Sequence, residues 1–112
     1  MSGLSNVSQN AEQYSANYQT VGPSATATLA GAGGGAKGDF IAGILVVPAT
    51  LSPGAITLSD GGGGPFTIFA GGASSLSNLV SFYIPLGIKS VTGSWSITTG
   101  ASASVVVTGG FT

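Results

Sequence analysis

The sequence predicts an all-β domain: a jelly-roll-like β-sandwich of about eight short antiparallel strands, preceded by an extended N-terminal arm. Three observations predict it. Short segments rich in Ile, Val, Thr and aromatic residues recur with turn signals spaced roughly 8 to 12 residues apart. Most of the 20 glycines and 5 prolines fall between those segments. No stretch keeps a helical 3.6-residue period with good helix formers.

Taken in order, residues 1–21 are polar, spaced by Asn and Gln and marked by Tyr14 and Tyr18. They read as the arm, and residues 22–112 as the sandwich. Four residues apart, the two tyrosines share one face of either a helix or a strand. They are either incidental aromatics in a tail or anchors on another subunit, because tyrosine offers contact area with a polar tip at little entropic cost. The alternation in SATATLAG puts Ala25, Ala27 and Leu29 on one face and Thr26 and Thr28 on the other. DFIAGILVVPA is apolar on both faces, as in a strand covered on two sides, and Pro48 removes a ladder donor that ends it. AITLSDG turns Ile56 and Leu58 inward and closes on Asp60-Gly61, a turn pair. FTIFAGG turns Phe66 and Ile68 inward. NLVSFYIP is again apolar on both faces, which places Tyr83 in the core. IKSV, SWSIT and ASVVVTGG complete the series of eight segments. Trp95 shares a face with Ile97, so it either fills the core or anchors an interface.

The composition removes whole classes of chemistry. The chain has 112 residues, no histidine, no cysteine and 4% charged residues, against about 25% in an ordinary domain. The commonest general bases, nucleophiles and zinc ligands are therefore missing. Of the carboxylates, Asp60 reads as a turn residue and Asp39 as one half of a weak surface pair with Lys37. No enzyme, cofactor or metal site is expected. GAGGGAKGD lacks both the spacing and the following helix of a phosphate loop. Two basic residues are too few for nucleic-acid binding. No apolar run is long enough for a transmembrane helix, and the first residues lack the features of a signal peptide. Oligomerisation is the natural way to cover strands this poor in charge.

The segments GDFIAGILV (38–46), ITLSDG (56–61), FYIPLGI (82–88) and GSWSITTG (93–100) carry a resemblance. Over about residues 24–108 the chain resembles the small β-sandwich or jelly-roll capsid decoration (cement) proteins of bacteriophages and related head or tail accessory domains. The resemblance implies a virion protein on the outer surface of the capsid, a homotrimer at local threefold positions. Its arm would lie over neighbouring copies of the major capsid protein and clamp the shell. On that basis Tyr14, Tyr18 and Trp95 are the candidate partner-interface residues. Two other readings stay open: a tail, fibre or minor coat component, and a glycan- or receptor-binding module using Tyr14, Tyr18, Tyr83 or Trp95.

Overall fold

The computed structural model describes residues 16–112. Their eight strands are β1 (Asn17–Val21), β2 (Thr26–Thr28), β3 (Phe40–Pro48), β4 (Ile56–Asp60), β5 (Gly63–Phe69), β6 (Phe82–Lys89), β7 (Trp95–Thr99) and β8 (Ala103–Gly110). All pair antiparallel, in two four-stranded sheets ordered β1-β8-β3-β6 (sheet A) and β2-β7-β4-β5 (sheet B).

The number of strands agrees with expectation, but two of the elements differ. Residues 17–21, expected in the arm, form β1 and pair with β8 from Asn17↔Gly109 to Val21↔Val105. The alternation that places Val21 in the core and Tyr18 outside is that of a half-buried edge strand. Asn17 secures this strand: its amide donates to the Phe111 carbonyl (2.9 Å) and accepts from the Phe111 N–H (2.9 Å). NLVSFYIP and IKSV, expected as two strands, merge into β6, while Leu79 and Val80 lie exposed before it.

Between the sheets lie Val21, Leu29, Ile41, Ile44, Val46, Ile56, Leu58, Trp95, Ile97, Val105, Val107 and Phe111. Burying an aliphatic side chain of this size contributes about 1.5–3 kcal/mol, so the strand alternation is itself the main stabilising pattern. Trp95 is 2% exposed, meets the edge of the Phe66 ring at 6.2 Å, and donates its Nε1–H to the Asp39 carbonyl at 2.9 Å. Phe69 and Phe82 close one flank of the sandwich, with ring centroids 5.4 Å apart. On the other flank Gln19 donates to the Thr28 carbonyl and accepts from the Ala30 N–H, each at 3.0 Å.

Six of the seven connections pass from one sheet to the other, and only β4–β5 is a hairpin. Its two-residue loop places Gly61 at φ +54°, a conformation that favours glycine. Crossing loops leave backbone groups without ladder partners, and two aspartates satisfy many of them at one end of the sandwich. Asp39 is buried at 4% exposure. Its carboxylate accepts from the Ala36 N–H (2.9 Å), the Thr112 N–H (3.1 Å) and the Thr112 hydroxyl (3.0 Å). Its backbone carbonyl also takes the Ser90 N–H at 3.0 Å. The expected surface pairing with Lys37 is thus replaced by a buried clasp, because Gly38, at φ +91°, turns the chain so that residues 37 and 39 do not share a strand face.

Asp60 grips the same β6–β7 loop from the other side. It accepts from the N–H groups of Val91 (2.7 Å), Thr92 (3.1 Å) and Gly93 (3.2 Å), and from the Thr92 hydroxyl. Burial alone raises its pKa, but these donors outweigh it and hold the carboxyl below the ordinary aspartate value. Among the described residues, the opposite end has no side-chain carboxylate. There the Thr99 hydroxyl donates to the Gly22 carbonyl (2.6 Å) and accepts from the Ala25 N–H (3.1 Å).

Replacing Asp39→Ala strands several donors at once and is expected to cost roughly 2–4 kcal/mol of unfolding free energy by denaturant titration. For Asp60 the folded state favours the charged form, so the unfolded chain binds the proton more readily. Its contribution is therefore fully present above the ordinary carboxylate range and lost as the pH falls through the depressed folded value. The stability gap between the wild-type protein and Asp60→Asn should narrow below about pH 4, as urea titrations across acid pH would record.

Candidate interaction face

The two sheets present contrasting outer surfaces. On sheet B, Thr26, Thr98, Thr57 and Thr67 form a row across all four strands, with Thr28, Ser96 and Ser59 beside them. The Thr26 and Thr98 hydroxyls bond each other at 2.9 Å, a cross-strand pairing typical of solvated sheet faces. On sheet A, registered pairing sets Thr20, Val106, Leu45 and Tyr83 in one row. Tyr18, Thr108, Gly43 and Pro85 form the next. Val47 stands opposite Ser104 beyond the first row, and Phe40 lies exposed at the other end of β3.

This face is rich in apolar groups because β3 and β6 are apolar on both sides, and the described residues cover only their inner sides. Tyr83, expected in the core, is 49% exposed; Val47 is 40% exposed and Tyr18 70%. A β-bulge between Ile41 and Gly43 keeps Ile41 and Ile44 inward and Gly43 outward. There the Tyr83 ring lies flat across the sheet. A Cβ at position 43 would collide with the Tyr83 hydroxyl and lie 2.7 Å from the Ile84 carbonyl oxygen. The Thr108 hydroxyl stands 3.3 Å from the Tyr83 hydroxyl and donates to the Gly43 carbonyl at 3.3 Å. Glycine at 43 thus lets a large aromatic side chain lie along the sheet instead of projecting from it.

Of the sequence-predicted interface residues, Tyr18 is on this face and Trp95 is not. As the largest core side chain, with its only polar atom satisfied inside the fold, Trp95 offers nothing to a partner. Tyr14 lies outside the described residues. Sequence reasoning missed Tyr83 and Val47 as surface residues. The signal is in the two doubly apolar strands, which read as covered on both sides, whereas the described residues cover only the inner one.

The electrostatics are as uneven as the hydrophobicity. Both aspartates of the described residues are buried, so their exposed formal side-chain charges are Lys37 and Lys89 alone. Among the described residues there is no cavity and no group of three or more potential metal ligands, and no helix is long and apolar enough to cross a membrane. The glycine-rich loop holds the end of the chain: the N–H groups of Gly31 and Gly35 donate to the Thr112 carbonyl at 2.9 and 2.7 Å. Comparisons with protein-family models, curated proteins and solved structures returned no match.

Gly43→Ala is expected to destabilise the fold by about 1–3 kcal/mol through overpacking. Part of that loss should disappear in a Tyr83→Ala background. A double-mutant cycle showing additive effects would exclude the packing of Tyr83 over Gly43.

Proposed function

We propose that this chain is a non-enzymatic structural protein of a virion. It binds across neighbouring major capsid subunits on the outer surface of the shell and stabilises it, acting as a homotrimer. The observation that carries the reading is a surface suited to being covered: a sheet face rich in exposed apolar and aromatic groups, with Lys89 opposite Phe40 at one end, on a domain whose described residues expose two formal side-chain charges. A small protein that stays alone in solution normally carries far more surface charge and seldom leaves large apolar patches open.

The strand order supports a jelly roll as the finer fold. β1 pairs with β8, β2 with β7, β3 with β6 and β4 with β5, as though one long hairpin had been wrapped into two sheets. This architecture recurs in viral capsid domains, in keeping with the resemblance carried by residues 38–46, 56–61, 82–88 and 93–100. The partners in this reading are protein surfaces, with no nucleic acid and no membrane. Two exposed lysines supply too little charge to hold a phosphate backbone. A protein that binds the assembled shell and not its separated subunits stabilises the shell by mass action.

Antibodies raised against residues 16–112 test the proposal on purified particles made by the genome that encodes this chain. Gold label distributed over the shell is the expected result. Label confined to tails or fibres would favour a tail component, and particles without label would overturn the virion reading.

A further inference from the structure

We draw no further inference here: the strongest candidate, the patch of exposed aromatic and aliphatic side chains at Tyr18, Val47 and Tyr83 on the outer face of sheet A, carries none, because nothing in the structure shows what covers it.

Discussion

The fold depends on how the β6–β7 loop is held. Residues 90–93 lie between Asp39, whose carbonyl takes the Ser90 N–H, and Asp60, whose carboxylate takes three successive N–H groups. One aspartate precedes a strand of sheet A and the other ends a strand of sheet B, so the loop joins the two sheets where the chain passes between them. Trp95 follows directly and anchors its indole on the same Asp39 carbonyl. In a topology whose connections nearly all change sheets, turn hydrogen bonds inside a hairpin are available only once. The remaining loop groups need side-chain acceptors or each other, and a carboxylate accepting several N–H groups is the most economical such acceptor.

That solution shapes the surface. By placing both described carboxylates inside, the molecule leaves its exterior to hydroxyls on one sheet and to aliphatic and aromatic groups on the other. The same arrangement leaves Lys37 and Lys89 as the exposed formal side-chain charges of the described residues. The bulge at Gly43 belongs to this balance, because it keeps the inward register of β3 intact while making room for Tyr83 outside. The packing of the core and the shape of the outer face are thus coupled through a single strand.

Much of this was legible in the residues. Alternation in SATATLAG and ITLSD assigns inner and outer faces correctly, since a side-chain period of two leaves little freedom once one face is buried. Asp60 reads as a turn residue from its place before glycine, and it is one, though its grip on residues 91–93 depends on a loop some thirty positions away. Tyr18 was recognisable as a surface aromatic. Its strand was not, because NYQTV is polar and its pairing partner lies at the far end of the chain.

By itself the sequence determined that this is a charge-poor, helix-free domain of short strands with a modest aliphatic core, because periodicity, propensity and turn residues act over a few neighbouring positions. Only the tertiary structure decided which side of β3 and β6 is covered, whether Trp95 faces in or out, and where Asp39 points. Those outcomes depend on contacts between residues separated by fifty positions or more, such as Trp95 with Asp39 and Thr112 with Asp39. A doubly apolar strand demands cover on both faces, but local sequence does not say whether the cover comes from its own chain or from a neighbour. Here the described residues cover one side of each strand and leave the other exposed.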